Sequence, residues 1–91
     1  MQYTVVKEQN RHYIPGEADA IAEMLLSVSD RALIIESTYV DDVYRGQGLG
    51  LVLLESVVER ARQENKRIVP LCPYAKAQLD KHPEYADVVQ Q

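Results

Sequence analysis

Three alternating glycines, in the segment Arg45–Gly50, constrain this chain more than any other feature. The segment before them, Leu33–Val40, is rich in β-branched residues and bounded by turn residues, which predicts a strand. The segment after them has apolar residues spaced for one helix face: Leu53, Leu54, Val57, Val58 and Ala61. The glycines therefore lie where a strand passes into a helix. Asn65 is expected to end that helix, because Asn tolerates the left-handed conformation found past helix ends.

The other segments predict the short strands and helices of a compact α+β domain. Tyr3–Val6 and His12–Ile14 are short and rich in strand-forming residues. Arg67–Leu71 predicts a short buried strand, and Ala75–Lys81 predicts a short helix that ends before a proline. The two strands that flank the main helix are expected to be parallel neighbours.

One segment, Ala18–Val28, supports two interpretations. Its Ala, Glu, Met and Leu content favours a helix by propensity. Its apolar residues also alternate in part, as they would in a strand. Local reasoning alone leaves the helix slightly ahead.

Composition limits the classes of function. A chain of 91 residues, 46% of them hydrophobic, predicts a single domain over residues 1–91 with a modest core. A net charge of −4 and scattered basic residues argue against a nucleic-acid partner. The single cysteine excludes an internal disulfide, and no metal-binding spacing is present. Because neither a signal peptide nor an apolar run of about 20 residues is seen, we expect a cytoplasmic protein with no membrane partner.

The glycine loop, defined as Arg45–Gly50, has the chemistry of an anion site. The first N–H groups of a helix lack partners within it, and the helix dipole favours an anion there. Glycines let a phosphate approach the backbone, and Arg45 can add a charged contact. The spacing fits neither the P-loop nor the dinucleotide fingerprint. The loop alone leaves two interpretations: a phosphate or pyrophosphate site, or a turn in which Gly50 only permits close packing.

Several motifs together resemble a known family. Arg45-x-x-Gly48-x-Gly50 fits the R/Q-x-x-G-x-G/A signature of the GNAT acetyltransferase superfamily. Thr38-Tyr39-Val40, the Val69–Lys76 segment (VPLCPYAK) and the His82–Tyr85 segment (HPEY) are similar to the small YjdJ-type GNAT domain. The resemblance covers about residues 31–85, and its last two segments are more specific than the glycine loop.

The resemblance implies a GNAT-like α+β fold: a mixed, mainly antiparallel sheet with a parallel strand pair around the main helix, plus a short C-terminal helix. It implies that Ala18–Val28 is a strand paired with Leu33–Val40. It also implies acetyl-CoA as co-substrate, with its pyrophosphate at the amides of Gln47–Gly50. The pantetheine arm would lie between the strand ending at Val40 and the strand ending at Leu71, which splay apart. The implied co-substrate-binding residues are Tyr39, Val40, Arg45, Gly46, Gln47, Gly48, Leu49, Gly50 and Lys76, the last of which is alternatively a solvated surface residue.

Two residues are candidates for the chemistry. Cys72 precedes a predicted helix N-terminus, which lowers a thiol pKa, so it is either a nucleophile that takes the acetyl group or a small buried residue. Tyr74 stands where relatives commonly carry Phe, and its hydroxyl could protonate the departing CoA thiolate. A Cys72–His82 dyad is not expected, because ten helical residues separate the two by ~15 Å.

Other polar residues have a structural and a functional interpretation. His12 is isolated and is expected to be exposed. Asp41 and Asp42 most simply shape the turn before the glycine loop, and alternatively attract a cationic amine. Glu36 is either a base beside the site or an exposed residue on the outer face of the sheet.

The resemblance implies transfer of acetyl from acetyl-CoA to an amine, with a protein Lys, a protein N-terminus or a small polyamine as acceptor. A chain of this length is expected to leave the acceptor groove open, unless a homodimer completes it. The alternative is a CoA-binding module or sensor with little or no catalysis. Ser37 motivates this alternative, because relatives often carry His at that place in the strand.

Overall fold

A computed structural model describes residues 3–90, which form one sheet with two helices. The strands are β1 (Val6–Glu8), β2 (Arg11–Pro15), β3 (Ala20–Val28), β4 (Ala32–Val40) and β5 (Arg67–Pro70). The helices are α1 (Leu49–Glu64) and α2 (Pro73–Lys81), and short 3₁₀ turns cover Asp42–Tyr44 and Pro83–Val88. The described strands lie in the order β1-β2-β3-β4-β5, antiparallel except for the parallel pair β4 and β5.

This architecture confirms the expected fold class. The strands before and after α1 are parallel neighbours, and a short helix follows β5. Ala20–Val28 is a strand, so the resemblance was right and the helical propensity of this segment was misleading. The physical reason is position: β3 pairs with a strand on each side and buries side chains along its length, which outweighs local preference.

The core is built by α1 against the sheet. All five apolar residues of the predicted helix face are buried, with exposed fractions of 2% or less. The face packs against β2, β3 and β4. Asn65 adopts the left-handed conformation, with φ of 56°, and its N–H bonds to the last carbonyls of α1, as predicted.

A β-bulge interrupts β4. Leu25 of β3 pairs with Ser37, whereas the next residue, Leu26, pairs with Ile35. Glu36 is therefore the extra residue in β4. One extra residue reverses the faces to which the following side chains point, so the second half of β4 presents a different set to α1.

The expectation that His12 is exposed was wrong. Its side chain is fully buried, on the same face of β2 as Ile14. The His12 Nδ1 atom lies 2.8 Å from Ser56 Oγ, and Nε2 lies 3.3 Å from Arg60 Nη1. A guanidinium can only donate, so Nε2 accepts and Nδ1 carries the proton. The Ser56 hydroxyl accepts from His12 and donates in turn to the Leu53 carbonyl oxygen at 2.6 Å.

This network holds His12 in its neutral form. Burial, and then the charge of Arg60, lower the pKa of His12 from 6.5 to about 4. Lys7 adds to this effect and Glu64 opposes it. Because the unfolded chain binds the proton at higher pH than the folded one, the contribution of His12 to stability is intact above pH 6.5 and is lost as the pH falls toward 4.

We expect the free energy of unfolding to fall by on the order of 3 kcal/mol between pH 6.5 and pH 4 because of His12 alone. Chemical denaturation across this range measures it. His12→Gln retains a donor and an acceptor without a titrating group, so the difference between the wild-type and variant curves isolates the effect. Parallel curves for wild type and His12→Gln would contradict the assignment.

Candidate active site

A cavity of about 400 Å³ lies between the end of β4, the glycine loop and the start of α2. Its lining residues are Thr38, Val40, Tyr44, Arg45, Gly46, Gly48, Leu49, Gly50 and Tyr74. Seven of these nine were expected at the site from the sequence. Thr38 and Tyr44 were not, and Tyr39, Gln47, Cys72 and Lys76 were expected but are not part of the lining.

The cavity exists because β4 and β5 separate. Their ladder begins at Ala32 and Arg67 and ends at Ile35 and Pro70. β4 then continues to Val40, with β3 as its only strand partner among the described residues. The second half of β4 therefore has one unpaired edge, whose backbone N–H and C=O groups are available to a ligand. This is the divergence that the resemblance implied.

The bulge decides which β4 side chains face the cavity. Thr38 is opposite Met24, a fully buried residue of the core face. Tyr39 is opposite Glu23 and is 51% exposed on the other face of the sheet. A strand without the bulge would have turned Tyr39 inward and Thr38 outward, and the sequence contains no signal of that extra residue.

Two glycines of the loop have conformations that other residues rarely adopt. The φ angles are 86° at Gly46 and 76° at Gly48. A Cβ atom placed on either would meet no atom within 4 Å, so both face open space in the cavity wall. Gly48 is the N-cap of α1 and provides no side-chain bond to the first N–H groups of the helix. These N–H groups point out of the start of α1, which is the end of the helix that lines the cavity.

Side chains on both sides hold the loop. Arg45 Nε lies 3.0 Å from Asp42 Oδ1, although both side chains are largely exposed. Tyr3 donates from its hydroxyl to Gln47 Oε1 at 2.6 Å, which accounts for the side chain of Gln47 lying outside the lining. Asp41 accepts from the N–H of Val43 at 2.9 Å, so it shapes the turn as predicted.

Cys72 lies behind the cavity wall. It is 7% exposed, and its Sγ is 3.5 Å from Thr38 Oγ1. Burial by itself raises the pKa of the thiol, but the Thr38 hydroxyl and the N–H groups of Ala75 and Tyr74 outweigh it, and the net shift lowers the pKa. Cys72 and His82 cap opposite ends of α2, consistent with the absence of a dyad expected from their spacing.

Tyr74 reaches from α2 to the first turn of α1. Burial, and the negative charge of an ionised Cys72, raise the pKa of Tyr74, so its hydroxyl keeps its proton at neutral pH. The two other candidates, Lys76 and Glu36, do not line the cavity. Lys76 is exposed and lies 3.9 Å from Asp80, and Glu36 is exposed at the bulge.

Comparison with known proteins identifies the family. The family model described as GCN5-related N-acetyltransferase matches residues 2–88. The chain belongs to this family. The narrower YjdJ-type assignment stays a prediction. A search of curated proteins found no match.

Solved structures agree with this membership. A GCN5-like protein from Staphylococcus aureus with a proposed N-acetyltransferase activity is 37% identical, with a TM-score of 0.80 over 97% of this chain and 88% of its own. Two others share the fold at lower identity. The ribosomal-protein-S18-alanine N-acetyltransferase from Escherichia coli is 20% identical, with a TM-score of 0.53 over 63% of this chain and 38% of its own. The ribosomal-protein-alanine N-acetyltransferase from Brucella melitensis biovar Abortus 2308 is 13% identical, with a TM-score of 0.62 over 92% and 64%.

Residues 3–90 contain neither a metal-binding cluster nor a membrane-spanning helix. No group of three or more His, Cys, Asp or Glu side chains in that range could hold a metal ion. Nor does either helix of that range have the length and apolar character needed to cross a membrane.

We expect Thr38→Val to raise the pKa of Cys72, because the variant loses the hydroxyl that stabilises the thiolate. Thr38→Ser keeps the hydroxyl and should keep the low pKa. Thiolate absorbance in the ultraviolet reports the titration, with Cys72→Ser as the blank, since the chain has one cysteine. Equal thiol pKa values in Thr38→Val and wild type would remove Thr38 from the explanation.

Proposed function

We propose that this protein transfers an acetyl group from acetyl-CoA to an amine. One observation carries the proposal: a single cavity joins the open glycines at the start of α1 to the unpaired edge of β4. The first feature suits a pyrophosphate and the second suits an arm that contains amides. A ligand with both groups in sequence, such as coenzyme A, matches this order.

The start of α1 would hold the pyrophosphate. Its free N–H groups and the positive end of the helix dipole favour an anion, and Gly46 and Gly48 leave space beside them. Arg45 lines the same wall and can exchange its exposed contact with Asp42 for a phosphate oxygen. The amides of the pantetheine arm would pair with β4 as an added strand does.

The reaction needs little covalent participation by the protein. A neutral amine attacks the thioester carbonyl, the C–N bond forms, and the C–S bond breaks. The amine nitrogen loses a proton to water, the departing thiolate takes one from an acid of the protein, and water returns a proton to that acid. Tyr74 lines the cavity and holds its proton at neutral pH, so we assign it as the acid that protonates the thiolate.

Direct transfer is favoured over an acetylated enzyme. The lowered pKa of Cys72 would suit a nucleophile, but its sulfur is buried behind Thr38 and does not line the cavity. An attack on the thioester would require the wall to open first. We therefore assign Cys72 a structural role, in which it contacts Thr38 and begins α2.

The acceptor proposed is an amine on a protein, either a Lys side chain or an N-terminus, or a small polyamine. The exposed carboxylate of Asp42, two residues beyond the end of β4, would attract a cationic amine. A cytoplasmic location and a homodimer that completes the acceptor site are part of the same proposal.

The second candidate is a CoA-binding module without catalysis. Among the residues that the structure describes, the cavity lining includes no His, Asp or Glu that could deprotonate an amine. Ser37, where relatives often carry His, is exposed on the other face of the sheet. An acceptor whose amine is already partly neutral would need no such base.

Incubation with acetyl-CoA and a panel of amines, while free thiol release is followed, tests the proposal. We expect saturable turnover with at least one of the three amine types. Isothermal titration with CoA runs in parallel. Binding without turnover on any amine would favour the module, and the absence of binding at concentrations far above micromolar would contradict both candidates.

We expect Gly48→Asn to weaken CoA binding more than tenfold while the protein remains folded. Asn tolerates positive φ better than other side chains, so most of the effect is the group placed in the open space beside α1. Calorimetric titration measures the affinity, and thermal unfolding without ligand measures the fold. The control is Asn65→Gly, which changes the other left-handed position of α1 and should leave affinity unchanged.

We expect Tyr74→Phe to lower kcat by about 100-fold, in the range found for loss of a general acid, with CoA affinity nearly unchanged. Cys72→Ala is the comparison and should retain most of the activity. Steady-state kinetics on the best amine from the panel measure both. An inactive Cys72→Ala with an active Tyr74→Phe would reverse the two assignments and indicate an acetylated enzyme.

A further inference from the structure

Gly50 differs from the other two glycines of the loop. It is the second residue of α1, is buried, and lacks the positive φ of Gly46 and Gly48. A helical backbone accepts any residue other than proline at this place, and Ala would be preferred over Gly by up to about 1 kcal/mol. The backbone therefore gives no reason for glycine at position 50.

The reason lies in α2. A Cβ atom on Gly50 would fall 2.6 Å from both Cζ and Oη of Tyr74, and 2.8 Å from Cε2. Ordinary contacts with a Cβ are 3.4–4 Å. The end of the phenol ring thus occupies the space that any other residue at position 50 would fill.

We propose that Gly50 is a positioning residue for Tyr74. The missing Cβ allows the phenol hydroxyl to rest on the first turn of α1, inside the cavity, where the proposed reaction needs a proton donor. This inference rests on the proposed function. It assigns the third glycine of the loop to the placement of the acid, whereas the first two leave space for the phosphate.

The expected size of the effect follows from the distances. Relief of the clash in Gly50→Ala requires the ring to move by about 1 Å, from 2.6 Å to an ordinary contact. A displacement of that size at a reacting group costs about 100-fold in rate. The N–H groups of α1 are still present in this variant, so the anion site itself is retained.

The main test is the kinetics of Gly50→Ala. We expect kcat to fall by about 10- to 100-fold, with the CoA dissociation constant from calorimetry within about threefold of wild type. In a Tyr74→Ala background, Gly50→Ala should have no further effect on kcat, because the group that clashes is gone. A matching loss of affinity in Gly50→Ala, or an additive effect in the double variant, would overturn the inference and return Gly50 to the phosphate site.

Gly16→Ala is the matched control. A Cβ there would lie 2.5 Å from the Asp19 carbonyl oxygen and 2.8 Å from Ile21 Cγ2, a clash at least as severe and outside the cavity lining. It should lower the melting temperature without changing kcat of the folded enzyme. If Gly50→Ala fails to fold, the double variant with Tyr74→Ala should restore folding, and failure to do so would contradict the clash.

A magnetic resonance measurement separates this inference from the proposed function. In wild type we expect a nuclear Overhauser effect between the Gly50 Hα protons and the Tyr74 ring. Its absence would overturn the inference whatever the activity. If the effect is present but the protein binds CoA and acetylates no amine, the contact between Gly50 and Tyr74 is real and has no role in catalysis. That result would contradict the proposed function and, with it, the positioning role of Gly50.

Discussion

The carbonyl oxygen of Ile35 is the contact on which the site depends. It accepts both the Leu71 N–H at 3.0 Å and the Cys72 N–H at 3.1 Å, and these are the last backbone hydrogen bonds between the β5 segment and β4. A parallel ladder would continue with evenly spaced bonds along both strands. Because two successive donors converge on one acceptor, the chain turns away into α2 while β4 continues. The gap beside β4, the burial of Cys72 and the reach of Tyr74 to α1 all follow from that turn.

The bulge at Glu36 lies next to the same residue on the other edge of β4. The two irregularities act together: one removes the neighbouring strand, and the other turns Thr38 toward the space that is left. Either one alone would give a different site. A gap without the bulge would be lined by the bulkier Tyr39, and a bulge without the gap would leave Thr38 under a paired strand. Functional sites are often built from such local departures from regular geometry.

Local signals predicted part of this structure and could not predict the rest. The apolar face of α1 and its end at Asn65 depend on residues close in sequence, and both were confirmed. β3 needed the resemblance, because its neighbours in the sheet decide its conformation. His12 was misplaced because its burial depends on Ser56 and Arg60, which lie four residues apart on α1 and reach it only after the sheet and helix have packed. The extra residue of the bulge likewise has no signature in the chain.

The three glycines of the loop look alike in the sequence and are required by different physics. Backbone conformation requires Gly46 and Gly48, whereas contact with Tyr74 requires Gly50. A chain could keep all three for folding and packing after losing its ligand, so the motif alone is weak support for acetyl-CoA. The stronger support is the open space beside two of them, at a helix start that no side chain caps. Folding does not require that space, and an anionic ligand does.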